Sequence, residues 1–334
     1  MSNILITGGG GFIGRNLIEF LLRGQVKNIV VVDNFITSDK VSFTDFQNKM
    51  NKKVGRECVA LFNCDITRFN FIVHLGVHLN SLSIDGVDEI YHLASIASPP
   101  FYKKYPVQTL DVGYKGTQVV LELARLYVAK VLFTSTSEVY GDPSISPQDE
   151  RYNGNVNTFG ARSCYDESKR VGEALCYTHL TKHGVDVKIA RIFNSYGPHM
   201  LLNDGRIITE CIRHLKNKTK MTIYGDGKQT RSCCFVGDTV SMLVKLMATS
   251  YNRPVNVGSD DERTINDTVR LVNQIWNEMH GANDVLECEH VKLTENDPLR
   301  RKPCLKLNKK VLGETEYTSF KEGIRKTIEY FDGM

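Results

Sequence analysis

Short apolar runs alternate with longer amphipathic stretches through the first two thirds of the chain. "NILIT" (3–7), "NIVVVD" (28–33), "CVALFNCD" (58–65), "VDEIYHLAS" (87–95), "KVLFTSTS" (130–137) and "VDVKIARIF" (185–193) are dense in Val, Ile and Leu. Runs of this kind read as strands buried on both faces, as in a parallel sheet. Helical patterns lie between them at 12–23, about 67–80, 107–129 and 164–183. Alternating strands and helices predict an α/β fold, a doubly wound parallel sheet of the Rossmann kind.

After residue 194 the pattern changes. "NSYGPHMLLNDGR" is turn-rich and precedes a predicted helix at about 206–217. "MTIYGDGKQTR" predicts a short strand and a glycine-rich turn. Helices near 236–249, 264–279 and 319–331 follow, with a short strand at 255–258. These elements suggest a smaller, discontinuous lobe over one edge of the sheet. The segment 38–57, rich in Lys, Asn and Asp, is expected to be an exposed loop or a frayed helix.

Charge and cysteine usage narrow the function. A net charge of +4 over 334 residues, with no long basic run, argues against nucleic acid as a partner. The nine Cys form no paired CxxC pattern and have no His at zinc spacing, so no metal site is expected. They read as small buried hydrophobes in a reducing compartment. No apolar stretch has the length of a membrane span. Met1 leads within three residues into a strand, which leaves no room for a leader, so a cytoplasmic location is expected.

"ITGGGGFIGRNL" follows the first strand and opens the first helix. Gly8, Gly11 and Gly14 let backbone N–H groups approach a pyrophosphate at the helix N-terminus. Asp33 ends the second strand, where a carboxylate accepts hydrogen bonds from the ribose of NAD and repels the extra phosphate of NADP. Asp65, closing the third strand, is placed to reach the adenine. A tight turn followed by a strand-ending Asp is the bland alternative. The predicted units are a dinucleotide-binding domain at 1–194 plus about 232–260, and a substrate-binding one at about 195–231 plus 261–334.

"SCYDESKR" (163–170) places Tyr165 and Lys169 four residues apart on one helix face. Removing hydride from a carbinol requires a base for the hydroxyl proton. A free phenol, with a pKa of about 10, is a poor one at neutral pH. A neighbouring ammonium and the positive nicotinamide are expected to favour the phenolate and lower that pKa. "TSTSEVYG" (134–141) ends a strand and offers Thr136 to the substrate oxygen, where such sheets bind ligands.

With "YHLASIASPP", "TSTSEVYGDP", "RSCYDESKRVGEAL", "ARIFNSYGPHM", "NDGR", "YGDGKQTRS" and "DPLRRKP", the chain resembles the nucleotide-sugar enzymes of the extended short-chain dehydrogenase/reductase family, in particular the UDP-glucuronic acid decarboxylases. The resemblance spans residues 1 to about 313. It implies NAD as cofactor and a UDP-sugar as substrate. It makes Tyr165 the base and Lys169 its partner, puts Thr136 on the sugar 4-oxygen, and sets Glu138 near the reacting sugar carbon. Ser137, Asn194, Arg231 and Arg301 are expected on the substrate. Phe12, Ile13, Asn34, Ile66 and Leu93 are expected to join Gly8, Gly11, Gly14, Asp33, Asp65, Tyr165 and Lys169 around the cofactor. Family members usually dimerise through the helices matching 107–129 and 164–183, so a homodimer is implied.

Ser137 stands where the related 4,6-dehydratases have an Asp that expels water, which favours decarboxylation. Asp111, Gly113 and Cys304 depart from the decarboxylases, which usually have Lys, Asn and Asp there. Ser195 for Thr is a mild change. Asp111 is expected to weaken the hold on an acidic sugar. The alternatives are a UDP-glucose 4,6-dehydratase, a UDP-sugar 4-epimerase, and a non-catalytic protein that senses NAD or nucleotide sugars.

Overall fold

The computed structural model describes residues 1–292 and 300–333. Seven strands form one sheet: β1 (Ser2–Thr7), β2 (Val26–Asp33), β3 (Val59–Asn63), β4 (Glu89–His92), β5 (Lys130–Thr136), β6 (Val187–Ile192) and β7 (Pro254–Val257). All pairs are parallel, in the order β3-β2-β1-β4-β5-β6-β7. The apolar runs are unbroken because both faces are buried. Ile4, Ile6, Ile29 and Val31 join one core; Leu5, Val30 and Val32 join the other. Order reverses between β1 and β4, and a ligand crevice opens there at the carboxyl ends of the strands.

Helices Phe12–Leu21, Lys40–Val54 and Val236–Met247 cover the first face. Helices Phe71–Ser81, Thr117–Tyr127 and Ser163–His183 cover the second. A third core belongs to the helices Ile207–Asn217, Ile265–His280 and Phe320–Asp332, with the paired strands Met221–Tyr224 and Cys288–Val291. Helix Lys306–Leu312 packs instead against β7, and its Val311 and Leu312 rest on the first core. Of the quoted stretch "DPLRRKP", Asp297, Pro298 and Leu299 lie outside the described residues.

The segment 38–57 is neither a loop nor frayed. Lys40–Val54 is a regular helix, with the Asp39 carboxylate accepting from Ser42 N–H and Gly55 closing it at φ 76°. Phe43, Phe46 and Met50 supply a buried stripe one turn apart, too narrow to stand out among polar neighbours. The buried Arg15 guanidinium lies 5.6 Å from both the Phe43 and the Phe46 ring and donates to Ser42 Oγ at 2.9 Å. It thereby ties this helix to the glycine turn.

The stretch read as one helix at 107–129 consists of Pro106–Asp111, a π turn Val112–Gly116 and Thr117–Tyr127. The π turn crosses helix Ser163–His183 closely. A Cβ on Gly113 would sit 2.4 Å from the Ser168 Cβ, so a side chain at 113 and Ser168 cannot share this crossing unmoved.

Candidate active site

Gly8 takes φ +71°, and a Cβ there would meet Ala94 N at 2.6 Å; one on Gly14 would meet Gly9 Cα at 2.5 Å. Glycine is therefore required for the turn to lie flat between β1 and the first helix. Gly11 caps that helix without a side-chain hydrogen bond, so the N–H groups of the first turn keep their capacity for an anion. Asp33 holds the turn through Gly10 N–H (2.9 Å) and accepts from Phe35 N–H (2.8 Å). Burial raises its pKa, opposed by these donors. Asn34 donates to Asp65 at 2.8 Å, joining the ends of β2 and β3. This cradle, which a Cβ would fill, fits a dinucleotide pyrophosphate with a ribose at Asp33.

Thr136 is the last residue of β5 and caps the short helical turn Ser137–Tyr140. Its hydroxyl lies close enough to the Tyr165 phenol to act on its pKa, in the lowering direction. Lys169 donates to the Thr134 carbonyl at 2.8 Å, and burial lowers its pKa to about 7. Burial raises the Tyr165 phenol to about 12, so the neighbouring ammonium by itself does not lower it. The cause is desolvation, which acts on both groups and exceeds any attraction between them. The Tyr165 ring stacks on Tyr102 at 5.4 Å with an interplanar angle of 7°. The Tyr102 hydroxyl is buried and has no hydrogen-bond partner.

Glu138 is clasped by two guanidinium groups. Arg301 approaches both carboxylate oxygens, at 2.7 and 2.9 Å, and Arg162 takes one at 2.7 Å. Burial alone would raise the Glu138 pKa, but Arg301 and Arg162 together hold it below the usual carboxylate range. The next carboxyl, Asp166, is pushed up to about 7 by burial and by the Glu138 charge, with Arg162 3.9 Å away. One oxygen of Asp166 has no partner.

Arg301 is delivered by a strand of two residues, Arg300–Arg301, paired with Thr230–Ser232 so that Arg301 lies opposite Arg231. Side chains alternate along extended backbone. Arg300 and Lys302 reach Glu262, at 3.1 and 3.5 Å, while Arg301 turns to Glu138.

One cavity of about 1130 Å³ connects these parts. Gly8, Gly11, Phe12, Ile13, Gly14, Asp33, Asn34, Asp65, Ile66 and Leu93 line its glycine-turn end; Thr136, Ser137, Glu138, Tyr165 and Lys169 line its middle; Asn194, Arg231 and Arg301 line the lobe side. Sequence reasoning assigned nothing to Arg162 or Tyr102, which also line it. Arg162 stood within a quoted motif, but its partner is 24 positions away in the chain. Asp111 lines the cavity too, yet pairs with Lys115 one turn on at 3.0 Å, which offsets the charge expected to repel an acidic sugar. Cys304 is buried beside Gln148, and Ser195 Oγ meets Thr239 Oγ1 at 2.9 Å.

A doubly wound sheet, a glycine cradle and a Tyr–Lys pair at one crevice fit a dinucleotide-dependent enzyme. Residues 4–258 match the NAD dependent epimerase/dehydratase family. Over 328 residues the chain is 40% identical to UDP-glucuronic acid decarboxylase 1 of Xenopus tropicalis, covering 98% of this chain and 72% of that protein. It is 40% identical over 321 residues to UDP-glucuronic acid decarboxylase 3 of Arabidopsis thaliana, covering 96% and 86%. Among solved structures, a UDP-N-acetylglucosamine 4-epimerase from Methanobrevibacter ruminantium aligns with TM-score 0.85 at 22% identity over 99% of this chain and 98% of that one. A UDP-glucuronic acid 4-epimerase from Bacillus cereus, solved with UDP-glucuronic acid and NAD, aligns with TM-score 0.81 at 22% identity, covering 99% of each chain. The last two share the fold. The chain belongs to the NAD dependent epimerase/dehydratase family and, within it, to the family of the UDP-glucuronic acid decarboxylases.

Proposed function

We propose that this protein converts UDP-glucuronic acid to UDP-xylose and CO₂ with no net change in NAD. The observation that carries the reading is Glu138 held between Arg301 and Arg162 beside the Tyr165–Thr136 pair. It sets two cations of fixed charge next to the carbinol base, where a sugar acid needs them. NAD, when bound in the glycine cradle, supplies the acceptor for the C4 hydride and returns it at the end of the cycle.

The residues divide the remaining work. Tyr165 takes the proton of the 4-hydroxyl, Thr136 hydrogen-bonds that oxygen, and Lys169 supports the base. The resulting 4-ketone is β to the C5 carboxylate, so loss of CO₂ leaves its electron pair in an enolate. Arg301 and Arg162 orient the carboxylate before it leaves, and Glu138 keeps the two cations in place. C5 then takes a proton from a solvent-exchanging acid, and Tyr165 returns its proton to the 4-oxygen. Ser137 offers no acid to expel a 6-hydroxyl, in keeping with decarboxylation. Asn194 and Arg231 hold the UDP end.

The chain is read as two units, with the sheet carrying the cofactor and the lobe the UDP-sugar. It acts as a homodimer in the cytoplasm. Val107, Leu110, Tyr114 and Leu126 are exposed along 106–127, as is Tyr177 on the neighbouring helix, which supports pairing of these helices. All nine cysteines are free thiols, as in a reducing compartment. No helix among the described residues is long and apolar enough to cross a membrane.

Turnover of UDP-glucuronic acid in deuterated water tests the reaction. UDP-xylose carrying deuterium at C5 and none at C4 is expected. A product keeping all six sugar carbons would mean an epimerase. Formation of a 4-keto-6-deoxy sugar from UDP-glucose, with UDP-glucuronic acid untouched, would mean a dehydratase.

A further inference from the structure

Arg301 lies on a segment with little regular structure of its own, yet its side chain must meet Glu138 with both oxygens in register. Its neighbours along the chain are gripped by one residue outside the cavity, Gln148, with its main chain and its side chain. Gln148 is 1% exposed. Its N–H donates to Lys302 O at 2.8 Å, and its Oε1 accepts from Lys302 N–H at 2.8 Å. Its carbonyl accepts from Cys304 N–H at 2.8 Å and from Asn256 Nδ2 at 2.9 Å. Its Nε2 donates to Ile145 O at 2.7 Å. Each polar group of the residue is engaged, and three of these bonds hold residues 302 and 304.

The other half of the ion pair is tied to the same place. Glu138 sits on the turn Ser137–Tyr140, and Tyr140 donates its hydroxyl to Asn256 Oδ1 at 2.7 Å. Asn256, fully buried in β7, also donates to Cys304 O at 3.2 Å. The turn bearing Glu138 and the segment bearing Arg301 therefore share a neutral amide anchor on the sheet. Buried amides with all their partners in place are rigid, and losing one partner leaves another group unpaired.

We propose that Gln148, seated on Asn256, is a positioning residue: it sets where the Arg301 guanidinium stands for the reacting sugar. The proposal rests on the decarboxylase reading of Arg301. A displacement of about 1 Å at such a group can lower turnover by about 10²-fold. Gln148 touches neither the glycine cradle nor Asp33, so cofactor affinity should be spared.

A double-mutant cycle on kcat, with NAD affinity read separately by titration, tests this. Wild type, Gln148→Ala, Arg301→Lys and the double variant are compared on UDP-glucuronic acid. Gln148→Ala should lower kcat by about 10- to 100-fold with NAD affinity within about twofold. In the Arg301→Lys background the same change should cost less than about threefold, because the group it positions is already altered. Gln148→Met serves if the Ala variant does not fold, since it keeps the length, loses both the acceptor for Lys302 N–H and the donor to Ile145 O, and should show the same fall in kcat. Multiplicative effects, an unchanged kcat, or an equal loss of NAD affinity would each overturn the proposal. Failure of the wild type to release CO₂ would overturn the reaction itself, and the cycle would have nothing to rest on.

Discussion

Tyr165 and Asp166 are adjacent, and burial raises the pKa of both, with different consequences for each. Tyr165 is a phenol whose buried pKa of about 12 keeps it protonated until substrate and cofactor surround it. Tyr165→Phe keeps the ring against Tyr102 and removes the acid–base hydroxyl. Turnover should fall by about 10²–10⁴-fold with NAD binding retained, as read by single-turnover kinetics and cofactor titration. Near-normal turnover would place the base elsewhere. Asp166 is a carboxyl whose pKa burial and Glu138 push up to about 7. The folded protein therefore holds a proton there that the unfolded chain, with a pKa of about 3.9, has lost. Stability from this site is present below about pH 4 and is lost as the pH rises to about 7. Asp166→Asn should gain melting temperature relative to wild type as the pH goes from 5 to 8. A constant difference across that range would show that Asp166 is ionised throughout.

At the scale of elements, one close contact is the crossing of the π turn Val112–Gly116 over helix Ser163–His183. The resemblance implies Asn at position 113, and beside Ser168 there is no room for one. Gly113→Asn should destabilise the protein by about 1–3 kcal/mol, measured by thermal or urea unfolding. Adding Ser168→Gly should recover part of the loss. The recovery should be incomplete, because the Ser168 carbonyl and Cα would still stand 2.8 and 2.9 Å from the new Cβ. An unperturbed single variant would mean that the two elements separate freely. The same crossing marks where the sequence stops being legible. Strands β1–β6 and the long helices follow from periodicity, which depends on near neighbours. The helix Lys40–Val54 has three buried apolar positions and relies on Arg15 from another element. The clasp on Glu138 joins residues 138, 162 and 301, which no local pattern relates. Its Arg301 and Glu138 were visible by resemblance; Arg162 was not.

For the whole molecule, the two ends of the cavity carry different chemistry. The glycine end presents the Asp33 carboxylate, and the other end presents Arg231 and Arg301. A second phosphate on the adenosine ribose would meet Asp33 with like charge. The protein should bind NAD at least about tenfold more tightly than NADP, a difference of about 1.4 kcal/mol. Equal affinities in a fluorescence titration would show that Asp33 does not face the ribose.

Residues 300–302 are three cations in succession, Arg300, Arg301 and Lys302. Two carboxylates await them, Glu262 on one side and Glu138 on the other. A slip of one residue would exchange the sides and still bring cations to both. Coulomb attraction therefore supplies affinity to this strand and carries almost no information about its alignment. The alignment is written in neutral groups: the amide of Gln148 reads Lys302, and the amide of Asn256 reads Cys304. The segment is thus a message whose letters are all alike in charge, and its punctuation is hydrogen bonding.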